Sequence, residues 1–180
     1  MALAVAKGIR QTLRRDSEEA AAKVGIKWPN DIVVDGKKVC GILTEMSMEQ
    51  GYIQHIVIGV GINVRKQEFP EEIRDRAAAI DEQCGFRISR SQLIADIMEA
   101  FEEDYEIFLR THDLKGLRAS YAELLVNQDR EVCVLDPKGE YRGIARGIND
   151  QGELLVERQD GTVEEVYAGE VSVRGIYGYV

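Results

Sequence analysis

The chain is short of everything that builds a stapled or metal-rich protein: 180 residues hold three cysteines, three prolines and two histidines. Cys40, Cys84 and Cys133 are odd in number and far apart, so they form no CxxC pair and no disulfide framework. Free thiols of that kind fit a reducing cytoplasm. His55 and His112 share no spacing that implies a metal site, and no residues are assigned to metal binding. Long apolar runs are missing too. Ile56–Ile62 covers seven residues, against the roughly twenty that a membrane-crossing helix needs. Residues Met1–Arg10 lack the basic leader and apolar stretch of a secretory signal. No phosphate-binding loop of the GxxxxGKS type occurs. Basic charge is the scarcer sign, 23 Lys and Arg against 32 Asp and Glu, giving −9 overall. That balance disfavours generic nucleic-acid binding. A hydrophobic content of 44% excludes a disordered chain.

What is present reads as one ordinary domain plus a small appendage. Leu3, Ala6, Ile9 and Leu13 recur at helical spacing over residues 1–15, a helix with no cap at its start. Ser17–Ala22 is a loop or a frayed continuation of it. Val24–Trp28 reads as a short strand stopped by Pro29 and the turn formers Asn30 and Asp31. Ile32–Val34 and Lys38–Glu45 flank an Asp35-Gly36 hairpin turn. Tyr52–Val64, β-branched and apolar on both faces, predicts a central strand. Helices are expected over Pro70–Gln83, Ser91–Leu109 and Leu114–Val126. The second carries Leu93, Ile94, Ile97, Met98, Phe101, Tyr105, Phe108 and Leu109 as one apolar stripe, with Ser89 and Gln92 as a capping box. From about residue 128 the texture changes. Five short strands, Glu131–Leu135, Tyr141–Ile148, Glu153–Arg158, Thr162–Val166 and Glu170–Arg174, predict a small barrel over residues 128–180.

Strand alternation supplies the one chemical hint. Along Tyr52–Val64 the odd positions place Gly59, Gly61 and Asn63 on one face, and Gly41 in the preceding strand adds a third gap if the two pair. Missing side chains invite something flat against the backbone: a helix, a neighbouring strand or a ligand. Lys27 lies in a buried-looking strand at the rim. It either snorkels to solvent or meets an anion at the sheet's end. Asn30 and Asp31 could simply make the turn.

Three blocks together carry a family likeness. Lys27-Trp28-Pro29-Asn30-Asp31, Lys38-Val39-Cys40-Gly41-Ile42-Leu43-Thr44-Glu45 and Gly59-Val60-Gly61-Ile62-Asn63-Val64 resemble the biotin protein ligases in order and spacing. The tail is similar to that family's C-terminal barrel at Gly143–Ile148, Gly152–Val156 and Gly169-Glu170-Val171. The resemblance implies an α+β fold: a mixed β-sheet flanked by helices, class II synthetase-like but incomplete, over residues 1–127, then an SH3-like barrel. It implies activation of biotin by ATP with Mg²⁺, giving biotinyl-adenylate and pyrophosphate, and transfer to a lysine of a biotin carboxyl carrier protein. Lys27 would then be the catalytic cation near the biotin carboxylate and the α-phosphate. Gly41, Gly59 and Gly61 would make room for the acid, Asn63 would sit near the adenylate, and Asn30 and Asp31 would support them.

Two blocks of that family lie upstream of the first helix, a Ser/Thr-Thr-Asn strand end and a Gly-Arg-Gly-Arg loop, and neither occurs in these 180 residues. The expectation is therefore a C-terminal ligase portion, inactive or weak alone. Its sheet would expose an edge that pairs with a second copy or with the missing half. The alternatives are a non-catalytic module binding biotin or the carrier protein, and a lipoate-type acyl ligase. Neither nucleic acid nor membrane is expected as a partner.

Overall fold

A computed structural model describes residues 1–49, 51–136, 139–168 and 172–175. It is built from α1 (Ala2–Arg14), α2 (Glu18–Ala22), β1 (Val24–Lys27), β2 (Asp31–Val34), β3 (Lys37–Glu49), β4 (Tyr52–Ile62), α3 (Ile80–Cys84), α4 (Arg90–Thr111) and α5 (Arg118–Leu124). Strands β5 (Glu131–Leu135), β6 (Tyr141–Ile148), β7 (Leu154–Glu157), β8 (Val163–Val166) and β9 (Ser172–Gly175) follow. The α+β class holds. The first sheet has the order β1-β2-β3-β4 and the second β8-β7-β6-β5-β9. Among the described residues every ladder is antiparallel, which replaces the expected mixed sheet; parallel pairing is confined there to isolated bridges at Ile26–Leu125 and Lys38–Ala77.

Helix α1 lies over β1 and β2 and buries Leu3, Val5, Ile9 and Leu13 with Ile26, Ile32, Val34 and Cys40. It runs against α4 so closely that a Cβ on Gly8 would fall 2.6 Å from the Cα of Ile97. Polar groups fasten the same seam. Buried Asp96 accepts from Thr12 Oγ1 at 2.6 Å, from Gln92 Nε2 at 2.9 Å and from the Arg15 fork, whose Nη2 lies at 2.8 Å.

Several sequence expectations change. β4 lies at an edge, since among the described residues nothing pairs with its outer side. Its tip and that of β3 stand clear of the body, leaving Met48 57% and Tyr52 78% exposed. The helix expected over Pro70–Gln83 shrinks to α3, because Lys38 hydrogen-bonds to both Arg76 and Ala78 and draws that segment out along β3. Ser17 caps a real short helix, α2, by accepting from the Ala20 amide. Leu114–Val126 is helical over α5 alone; the Val126 amide then donates to the Ile26 carbonyl and the chain runs beside β1. The α4 stripe splits: Leu93 and Ile97 are buried, joined by Ala100 from outside the stripe, whereas Ile94, Met98, Tyr105, Phe108 and Leu109 are exposed. Ser89 does cap α4 through the Gln92 amide.

In the second sheet Val132, Val134, Ala145, Leu154 and Val156 are fully buried. Among the described residues no ladder joins β8 to β9. Pro137 and Lys138 of an expected turn, residues 170 and 171 of the last expected strand, and the Gly169-Glu170-Val171 block lie outside the described residues.

Candidate functional site: a glycine floor beside two lysines

Register, rather than any loop, assembles the site. Lys27 stands opposite Asp31, Asp31 opposite Gly41, and Gly41 opposite Gly61. Residues directly opposite in a ladder share a face, so these four form one row across all four strands. Gly59 is two residues from Gly61 on that face, opposite Leu43. The reverse face carries Ile26, Ile32, Cys40 and Ile62 toward the helices.

The glycines differ in what lies over them. Gly25, at the far end of the same face, is closed off: a Cβ there would fall 2.3 Å from Val126 Cγ1. At Gly59 and Gly61 a Cβ would meet only the carbonyl oxygens of Leu43 and Gly41, at 3.7 and 3.8 Å. Those are ordinary contacts, and neither glycine has positive φ. Of the three occupants the sequence allowed, a packed helix and a packed strand are therefore absent over Gly59 and Gly61 among the described residues. The floor is open there.

Gly41 is covered by Lys38, whose Cε and Nζ lie 3.2 Å from the Cβ position. Lys38 Nζ also meets Asp31 Oδ1 at 2.5 Å. Alternation alone puts Lys38 on the opposite face from Gly41. A bulge shifts the register between Ile32 and Val33, so Lys38 faces Val33 while Cys40 faces Ile32. The extra residue, Val39, brings Lys38 round to the glycine side. Lys38 is the site residue that alternation could not find; the sequence signals were its place just after the hairpin turn and at the head of the second family block.

The other expected residues are placed as follows. Lys27 is 8% exposed and Asp31 equally buried. Asn30 is spent on the fold, its Nδ2 donating to the Ile42 carbonyl at 2.7 Å while its own carbonyl accepts from the Ile42 amide at 3.1 Å. Asn63 follows β4 immediately; its amide donates to the Val39 carbonyl and its Oδ1 accepts from Gln67. Cys40, under the floor, is pushed up to about 12 by burial and by the neighbouring charge of Asp31. At neutral pH it is a thiol, unsuited to nucleophilic work. His55 stands out on the exposed hairpin opposite Ser47, and His112 ends α4 at positive φ. A cleft of about 440 Å³ between α1 and α4, lined by Lys7, Arg10, Arg14, Glu99 and Glu103, shares no residue with the row.

Among the described residues no three His, Cys, Asp or Glu side chains are grouped to hold a metal. No helix of the described chain is long and apolar enough to cross a membrane.

Comparison with known proteins gives the class to which this sheet belongs. Residues 1–63 match the Biotin/lipoate A/B protein ligase family, and residues 129–174 match the Biotin protein ligase C terminal domain. The bifunctional ligase/repressor BirA of Bacillus subtilis is 33% identical over 174 residues, spanning 96% of this chain and 51% of that protein. The biotin–[acetyl-CoA-carboxylase] ligase of Mycobacterium tuberculosis is 32% identical over 151 residues, 83% of this chain and 53% of that protein. In structure, the biotin protein ligase of Aquifex aeolicus superposes with a TM-score of 0.78 at 28% identity, covering 97% of this chain and 74% of that one. The same enzyme in complex with biotin and ATP gives 0.76. The chain belongs to the biotin protein ligase family. It spans about half the length of the two curated relatives just named.

Proposed function

We propose that this chain carries the acid-binding side of a biotin protein ligase active site. The reaction it serves has two steps. A biotin carboxylate oxygen attacks the α-phosphorus of ATP, a mixed anhydride forms and pyrophosphate leaves. A lysine amine of a biotin carboxyl carrier protein then attacks the acyl carbon, an amide forms and AMP leaves. Two anions must meet in the first step. Lys27 and Lys38 at the edge of the floor would offset their repulsion and the charge that develops at phosphorus, an electrostatic role rather than a basic one. Gly59 and Gly61 would let the flat acid lie on the backbone, with Asn63 toward the adenylate; Gly41, expected to share that role, lies beneath the Lys38 side chain, Asp31 holds Lys38, and Asn30 holds the turn. Mg²⁺ would arrive on the nucleotide, and no step is assigned to it.

The observation that carries this reading is the open face at Gly59 and Gly61, in a family whose Aquifex aeolicus member was solved with biotin and ATP. Division of labour at residues 127/128, with the C-terminal sheet as an SH3-like barrel, and a cytoplasmic location belong to the same proposal. So does pairing of the β4 edge with a second copy or a complementary polypeptide.

A biotin-dependent ATP–pyrophosphate exchange assay on the 180-residue chain tests it. A weak but biotin-dependent exchange is expected, because no Gly-Arg-Gly-Arg stretch is present in the chain. Biotin binding with no exchange at all would favour the second reading, a non-catalytic biotin- or carrier-binding module. Exchange driven by lipoate in place of biotin would move the chain to the lipoate branch; the match of residues 129–174 to a biotin-ligase domain speaks against that.

A further inference from the structure

We infer that the turn Asn149–Gly152 of the second sheet positions Lys27, acting through Trp28. The functional arm of this inference rests on the ligase reading; the mechanical arm does not. Trp28 is the only tryptophan in the chain and is 2% exposed. Its indole Nε1 donates to the Gly152 carbonyl at 3.0 Å, across 124 residues of sequence. A buried indole has one donor, and it needs one acceptor. Here a different sheet supplies it.

The acceptor is itself held rigidly. Asn149 Oδ1 accepts from the amides of Gln151 and Glu153, each at 3.0 Å, and the Gly152 amide donates back to the Asn149 carbonyl at 3.1 Å. Asp150 ties the turn to the helical half. Its carbonyl accepts from the Leu114 amide at 2.8 Å, and its Oδ1 meets Arg118 Nη1 at 2.9 Å. Gly152 has φ of +87°, and a Cβ there would fall 2.9 Å from Leu114 Cδ1, so the turn sits hard against that segment.

On its other flank the Lys27–Asp31 segment is pinned to β3 by the two hydrogen bonds between Asn30 and Ile42. Beyond the β1–β2 ladder and the Val126–Ile26 hydrogen bond, the lysine sits on a segment gripped at two further points, one on the glycine-bearing strand and one on the C-terminal turn. Release of the second grip frees the backbone that carries Lys27 without touching any residue of the row. Trp28 and Asp150 are positioning residues in this scheme.

Two variants test it. Trp28→Phe keeps the buried ring and removes the donor; Asp150→Ala removes the side-chain tie of the turn to Arg118 and leaves the backbone bond to Leu114 in place. In both, amide exchange at Lys27, Trp28 and Asp31 should accelerate about fivefold, and the Lys27 ¹³Cε resonance should move. Exchange in α1 and β3 should stay as it was, with melting shifted by only about 3 °C. A perturbation confined to residues 149–153, or spread evenly over the whole chain, would overturn the inference. Titration with biotinyl-adenylate separates the two claims. Weaker binding by both variants than by the parent supports positioning, and equal binding removes its functional arm. Failure of the parent itself to bind counts against the ligase reading and leaves the exchange data to decide the joint.

Discussion

Asp96 is an acid kept almost wholly out of water, and donors from Thr12, Gln92 and Arg15 make that tolerable. Burial pushes its carboxyl upward, but those hydrogen bonds prevail and hold it below the usual range. A folded value below the unfolded one means that the stabilisation is complete above the ordinary carboxylate range, near about pH 4. It is lost as the pH falls through the lower folded value. Asp96→Asn should therefore remove part of the acid-side loss of stability and cost about 2 kcal/mol at neutral pH. Urea denaturation at several pH values reads both, and an acid limb identical to the parent's would contradict the account. At this scale the sequence was legible in part. Gly41 and Gly61 fall where alternation put them, on one face of paired strands, and Lys27 joins their row from the edge strand β1. Lys38 was hidden because one bulged residue inverts the face of everything on one side of it, and nothing in local composition marks Val39 as that residue.

The elements were legible where a periodic pattern met a partner. α1 read well because it buries one consistent face against the first sheet; β3 was found but runs past its expected end at Glu45 to Glu49, with most of that extension exposed. The segment before α3 misled because Ile73, Ala77 and Ile80 sit at helical spacing by coincidence. Backbone pairing of Lys38 with Arg76 and Ala78 outweighs a helix whose other faces are charged. β4 misled for the opposite reason. Its sequence has the composition of a central strand, apolar on both faces, yet it forms an edge. Such a sequence on an edge is an unpaired template. The second face of α4, with Phe101, Tyr105 and Phe108 stacked along it, is likewise apolar without cover among the described residues.

For the whole molecule, these surfaces make a prediction about association. Ile53, Ile56, Val57, Ile58 and Val60 are all exposed on β4, beside Leu43, Met46 and Met48 on β3. The chain should self-associate in light scattering at tens of micromolar, on the order of the weakest specific contacts, and Val57→Lys should shift it toward monomer. A monodisperse parent with one cooperative melt would contradict this. The glycine floor makes the sharper claim. Gly61 has an ordinary backbone conformation and free space above it, so Gly61→Val should leave the melting temperature unchanged or slightly raised. If the activated acid lies on that floor, the same substitution should weaken binding of biotinyl-adenylate at least about tenfold, or about 1.4 kcal/mol. Calorimetric titration of parent and variant decides the matter: lost affinity with intact stability is the predicted result, and equal affinity would contradict it.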